Sequence, residues 1–271
     1  MVHRQILFEG KKINYQDEGA KESIATVVFL HGFMNDLDIW HYYVRDYMKL
    51  ARVIAIDLLG HGESEIVSDV HTMELQAEMV KAVLDQAEVS NCMFIGHSMG
   101  GYIALAFAQM FPDYVKGICL LHSHSLPDRE DQKQERYRVN DVVRNNASSF
   151  IVNFIPNLFA KSNAERLHTE IENIKDSALK IKGEAIIAAE KGMALRTSKI
   201  SVLSQANFPV LFILGKQDTR IPVELAFAQA MLPAQSEVLL LENVGHMAHI
   251  EEREIIKRRL WSFIVMCYHH E

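Results

Sequence analysis

Six short apolar runs constrain this chain more than any other feature. They fall at residues 25–30, 53–57, 92–96, 117–121, 209–214 and 237–241, and each is rich in Val, Ile, Leu and Phe. None shows the apolar–polar alternation of a strand with one solvated face. Such runs bury side chains on both faces and belong inside a parallel sheet. Helical patterns at 73–88, 101–111, 222–231 and 252–268 separate them, so strand and helix alternate and a doubly wound α/β domain is expected. The opening segments 5–8 and 12–17 do alternate, and they meet at the turn signal Glu9-Gly10. They read as an antiparallel hairpin on the sheet edge.

The alternation stops after His122. Between 123 and 206 there are charged helical patterns at 129–145, 148–159, 164–180 and 183–195, and no convincing strand. The chain is therefore read as a core domain made of 1–122 and 207–271, interrupted by a helical cap at 123–206. Within the cap, Phe150, Phe154 and Leu158 fall at i, i+4 and i+8, with Ile151, Ile155 and Phe159 beside them. That apolar face packs the cap onto the core, and part of it is expected to roof a pocket.

Composition excludes several classes. Hydrophobic residues make up 49% of 271 positions, enough for a sizeable core and against disorder or a coiled coil. The net charge of −7, with no Lys/Arg block, provides no electrostatic footprint for DNA, RNA or an anionic membrane surface. No apolar run approaches the ~20 residues of a membrane span, and the N-terminus lacks the apolar stretch of a signal peptide. A cytoplasmic protein is expected. Cys92, Cys119 and Cys267 are odd in number and widely spaced, which reads as free thiols in a reducing compartment. His246 and His249, like His122 and His124, are close in sequence. Neither pair belongs to an H-E-x-x-H motif or accompanies a Cys pair, so no metal site is expected. His31 and His97 read as buried hydrogen-bonding side chains, His122 and His124 as flanking the cap entrance within reach of substrate, and His269-His270 as a tail.

The chemistry centres on Gly96-His97-Ser98-Met99-Gly100-Gly101, where an apolar strand runs into a helix rich in Ala and Leu. A serine on such a sharp turn stands clear of the sheet above a helix N-terminus. Side chains at Gly96 and Gly100 would collide with neighbouring chain. In that context the Gly-x-Ser-x-Gly pattern marks a nucleophile. Two further segments share the setting of a strand's carboxyl end: Gly215-Lys-Gln-Asp218 after the run at 209–214, and Gly245-His246 after the last run.

With these segments, and with Phe29-Leu30-His31-Gly32-Phe33 and Asp57-Leu-Leu-Gly60-His61-Gly62, the chain resembles the α/β-hydrolase superfamily over nearly its whole length outside the cap. The resemblance implies an α/β-hydrolase fold: a mostly parallel eight-stranded sheet flanked by helices, with an inserted helical cap. It implies a triad in the order Ser98, Asp218, His246, with the backbone N–H groups of Phe33 and Met99 as oxyanion donors. Asp57, which ends a strand before the nucleophile, is the weaker candidate for the acid. The expected pocket residues are Met34, beside the oxyanion loop, together with His122, His124, Phe150, Phe154 and Leu158. Aspartate-nucleophile relatives, the haloalkane dehalogenases and epoxide hydrolases, are disfavoured by Ser98.

The reaction so implied is acyl transfer. Ser98 attacks a carbonyl, His246 takes its proton and Asp218 orients the imidazole. The expected substrate is a small, largely apolar carboxylic ester, and no cofactor is required. The same triad can serve a carbon–carbon bond hydrolase of diketone-like ring-fission products. A receptor using the pocket without turnover is the alternative from another class.

Overall fold

The computed structural model describes residues 1–269, so His270 of the expected tail lies outside the described residues. The two alternating N-terminal segments form β1 (His3–Phe8) and β2 (Lys11–Glu18), paired antiparallel. Glu9 and Gly10 between them both adopt left-handed φ, 51° and 74°, the combination that matches strand twist in a two-residue hairpin turn. The six apolar runs become β3 (Thr26–Leu30), β4 (Arg52–Ile56), β5 (Cys92–His97), β6 (Val115–Leu121), β7 (Val210–Gly215) and β8 (Ser236–Leu241). They join in one eight-stranded sheet of order β1-β2-β4-β3-β5-β6-β7-β8. β2 is antiparallel to both of its neighbours, and every pairing that does not involve it is parallel.

Strands β3, β4, β5 and β7 are buried along their whole length. Their successive side chains enter opposite layers, as the two-residue period of a strand requires. Val28, Phe94 and Ile118 pack with Val80, Val83, Ile103 and Phe107 of the helices Met73–Gln86 and Met99–Met110. Val27, Phe29 and Ile95 pack on the other face with Trp40, Tyr43, Leu260 and Phe263. The helix His41–Tyr47 that supplies Tyr43 was not legible as a periodic pattern, being only two turns long. Strand β8 departs from the expectation of two-sided burial: as the sheet edge it alternates, leaving Val238 37% and Leu240 38% exposed. All three cysteines are buried free thiols, and burial raises their pKa values. No helix among the described residues is long and apolar enough to cross a membrane.

Between β6 and β7 the described residues contain helices and no strand. In chain order, the α-helices of the described residues are α1 (His41–Tyr47), α2 (Met73–Gln86), α3 (Met99–Met110), α4 (Glu130–Phe154), α5 (His168–Ala178), α6 (Gly183–Leu195), α7 (Ile200–Ser204), α8 (Val223–Gln229), α9 (Ala248–Glu251) and α10 (Arg253–His269). The break expected between 145 and 148 is a kink inside α4. Asn146 leaves the helical region, at φ −161° and ψ 86°, and its side chain accepts the N–H of Ser149 at 2.9 Å, capping the second half. Helix α6 seats the insertion on the core. His71 N–H bonds Ala188 C=O at 3.0 Å, and a Cβ at Gly192 would lie 1.7 Å from the His71 carbonyl oxygen.

That contact generates a test. Gly192→Ala forces α6 off the core and is expected to cost roughly 1–3 kcal/mol or more in urea denaturation. Gly183→Ala, whose Cβ would meet Val143 and Ala147 at ordinary contact distances of 3.5 and 3.8 Å, serves as the control and should be neutral or stabilising. Equal effects of the two substitutions would contradict this seating.

Candidate active site

The chain leaves β3 for β4 on one side of it and then crosses to β5 on the other. The carboxyl ends of β3 and β5 therefore border the crevice where open α/β sheets hold ligands. Ser98 sits there, between β5 and α3, with φ 51° and ψ −114°, a left-handed conformation unusual for a residue with a side chain. Its N–H bonds Leu121 C=O at 2.9 Å, and its own C=O accepts from Ser123 Oγ at 2.8 Å. Close backbone approach makes the turn possible. A Cβ at Gly96 would lie 2.5 Å from the Gly100 oxygen, and one at Gly100 would lie 2.3 Å from the Leu30 oxygen. The N–H groups of Phe33 and Met99 have no backbone acceptor among the described residues.

Asp218 follows β7 and His246 follows β8, and their side chains meet. His246 Nδ1 donates to Asp218 Oδ2 at 2.8 Å. His122, at the end of β6, donates its Nδ1–H to the same oxygen at 2.9 Å, while its Nε2 accepts the N–H of Ala248 at 3.3 Å. Asp218 Oδ1 accepts the N–H groups of Arg220 and Ile221 at 2.7 and 3.0 Å. Burial alone would push this carboxyl's pKa up. The charge and hydrogen bonds of His246 and then His122 outweigh it and hold the pKa well below the carboxylate range. For His246, burial lowers the pKa and Asp218 opposes it without prevailing, which favours the neutral imidazole that a general base requires. The facing atoms of His122, Asp218 and His246 lie within 4.8 Å of one another, close enough to invite a cation. Yet the Ala248 N–H fixes the His122 proton on Nδ1, so this cluster reads as a hydrogen-bonded one. Asp57 is engaged elsewhere, by Leu37 N–H, Glu63 N–H and Asn14 Nδ2, and burial raises its pKa to about 6.

A cavity of about 250 Å³ is lined by Ser98, His246, Phe33, His124, Phe154 and Leu158, among others. Three expected pocket residues do not line it. Met34 is fully buried, and its left-handed φ of 58° accompanies a place in the core, beside a separate surface cleft. His122 is also fully buried, with φ 49°, and bonds Asp218 without lining the cavity. Phe150 packs on Phe154 at a ring distance of 5.3 Å without reaching the cavity. His124 does line it, with its pKa pushed down to about 3 by burial and then by Arg196. His31 and His97 are buried hydrogen-bonders, as expected. His31 donates to Gly32 C=O and accepts from Leu58 N–H, and His97 donates to the C=O of His246.

One wall of the cavity is charged, which the sequence pattern does not reveal. Arg136 of α4 bonds Asp128 and Glu190, and Arg196 bonds Asp128 at 2.7 Å and lies 4.2 Å over the Tyr102 ring. Tyr102, Asp128, Arg136, Glu190, Arg196 and Arg220 all line the cavity. Charged residues on a helical segment read as a solvated face, and no local signal marks the ones that pair inward.

The sequence profile of the alpha/beta hydrolase fold matches residues 25–253, and the chain belongs to that family. Among solved structures, a thermophilic esterase from Thermogutta terrifontis, determined with malate bound, superposes with a TM-score of 0.91 at 28% identity, covering 99% of this chain and all of that one. Among curated relatives, a 2-hydroxy-6-oxononadienedioate/2-hydroxy-6-oxononatrienedioate hydrolase from Paraburkholderia phymatum is 25% identical over 267 residues, 93% of this chain and 91% of that protein. A dihydrolipoyllysine-residue acetyltransferase component of the acetoin cleaving system from Pseudomonas putida is 29% identical over 247 residues. That match takes in 90% of this chain but only 64% of the relative's length.

The hydrogen bonds of His122 can be tested directly. His122→Ala removes one donor from a buried carboxylate and the acceptor of the Ala248 N–H, and should cost about 1–3 kcal/mol in denaturant unfolding. Unchanged stability would show that neither bond matters.

Proposed function

We propose that this protein is a serine hydrolase acting on a small carboxylic ester through an acyl-enzyme. The observation that carries the reading is the 2.8 Å bond from His246 Nδ1 to Asp218, with His246 and the left-handed Ser98 lining one cavity. Asp218 holds the imidazole in the tautomer whose Nε2 is free to accept the Ser98 proton. The Ser98 oxygen bonds the ester carbonyl carbon, and the oxyanion forms toward the unpartnered N–H groups of Phe33 and Met99. The carbonyl re-forms as the alcohol leaves with the proton from His246. A water molecule, deprotonated by the same His246, then releases the acid and restores Ser98. The helices of 123–206 serve as a cap that shapes the acyl and alcohol sites, on a core built from 1–122 and 207–271.

Similarity to the Thermogutta terrifontis esterase along 99% of the chain supports the ester reading. A second reading, hydrolysis of a carbon–carbon bond beside a ketone, has support from the similarity to the Paraburkholderia phymatum hydrolase. The two separate on a panel that sets simple aryl esters against a vinylogous diketone.

Ser98→Ala should lose ester turnover by about 10⁴-fold or more and should no longer react with a fluorophosphonate probe. Asp218→Asn should lose about 10⁴-fold in kcat. Turnover retained in Ser98→Ala would remove the nucleophile assignment. Saturable ligand binding with no turnover in the native protein would instead favour a receptor.

The pH dependence follows from His246. Its pKa lies below the ordinary imidazole value of about 6.5, so the neutral base persists as pH falls through neutrality. The acid limb of kcat/KM should have its midpoint below about 6.5. A midpoint above 7 would contradict a desolvated base.

A further inference from the structure

Six charged side chains line the cavity beside Ser98: Asp128, Glu135, Arg136, Glu190, Arg196 and Arg220. Five are occupied by one another or by a neighbour. Arg136 joins Asp128 and Glu190, Arg196 joins Asp128 and the carbonyl oxygens of Leu126 and Met193, and Glu135 pairs with Arg138 at 3.4 Å. Arg220 is different. No carboxylate of the described residues lies within 4.0 Å of its guanidinium nitrogens. The acid nearest in sequence, Asp218, has both oxygens engaged by two histidines and two backbone N–H groups.

The setting of Arg220 favours a ligand. Its guanidinium carbon stands 4.7 Å from the centroid of the Phe154 ring. Phe154 meets the Phe33 ring edge-on at 6.0 Å and 87°, so an aromatic wall runs from Arg220 back to the loop that carries the Phe33 N–H. Arg220 is accessible to solvent at the cavity while the surrounding protein lowers its pKa by desolvation. A guanidinium still keeps its charge. A charged fork with unused donors beside apolar walls attracts an anion that can take two parallel N–H bonds. A monoanion balances this single cation. A dianion would bring surplus negative charge close to Asp128 and Glu190 on the same wall.

We propose that Arg220 is a carboxylate subsite, and that the substrate carries an ionised carboxylate in addition to the scissile ester. This rests on the serine-hydrolase reading and narrows its substrate class. The carboxylate lies in the guanidinium fork, the hydrocarbon spacer lies on Phe154, and the ester carbonyl reaches Ser98. The apolar character expected of the substrate is thereby confined to its spacer.

The test uses matched pairs: p-nitrophenyl hemiesters of succinic, glutaric and adipic acid, against the same esters with the free acid capped as methyl ester. The native protein should prefer at least one hemiester by about tenfold or more in kcat/KM, mostly through KM. Arg220→Gln should abolish that preference, and Arg220→Lys should keep part of it. In parallel, calorimetry on Ser98→Ala with monomethyl glutarate should show saturable binding that weakens with salt and vanishes when Arg220→Gln is added. Turnover of capped and free esters at equal kcat/KM, or binding indifferent to Arg220→Gln, would overturn the subsite. Tighter binding of inorganic phosphate than of the monocarboxylate would overturn its assignment to carboxylates. Loss of all ester turnover in the native protein, with Arg220-dependent binding intact, would overturn the esterase reading and leave the subsite standing.

Discussion

Asp218 carries a carboxylate into the protein interior, where an ionised acid without partners would be untenable. Four donors make it tenable, and they come from three pieces of chain: His122 after β6, His246 after β8, and the N–H groups of Arg220 and Ile221 in the loop after β7. Satisfying that one buried charge therefore fixes the ends of three neighbouring strands against each other. It also sets the tautomer of His246 and hence the availability of its Nε2. His122 does this at some conformational cost, since it adopts a left-handed φ of 49°. The geometry of the site and the closure of this end of the sheet thus follow from the same hydrogen bonds.

A second constraint acts between the sheet and the helices above it. The helical segment between β6 and β7 lines the cavity that Ser98 also lines, and the surface it brings there is divided. Phe154 and Leu158 bring apolar surface to the cavity, while Asp128, Arg136, Glu190 and Arg196 cross-link α4, α6 and the segments beside them through ion pairs. Partly buried pairs of this kind contribute little net stability against hydrophobic replacements, but removing one member strands its partner. Their effect here is positional. They hold the charged wall in register and leave Arg220 as the cation without an acidic partner among the described cavity residues.

The parts of this arrangement that were legible in the sequence share a physical cause. Strands buried on both faces must be continuously apolar, so β3 to β7 stand out, whereas β8 has the same hydropathy and turns out to be a half-exposed edge. Ser98 is legible because a tight strand-to-helix turn tolerates only glycine at Gly96 and Gly100. Asp218 and His246 are legible because both follow strands. Adjacency to the oxyanion loop and to the cap entrance points to Met34 and His122 as pocket residues, and helical spacing points to Phe150, but side-chain direction decides lining. Left-handed φ values at Met34 and His122, and the position of Phe150 on its helix, turn them elsewhere. Arg136 and Glu190 were illegible for another reason: they are 54 residues apart and pair only once α4 and α6 pack together.

The proposed mechanism requires Ser98 to become covalently acylated during turnover. Rapid quenching of the native protein with an activated short-chain ester, followed by intact-protein and peptide mass spectrometry, measures this directly. The mass should increase by that of the acyl group, with the adduct located on Ser98 and formed within the first turnover. Turnover with no adduct under any quench condition, or an adduct on a different side chain, would contradict it.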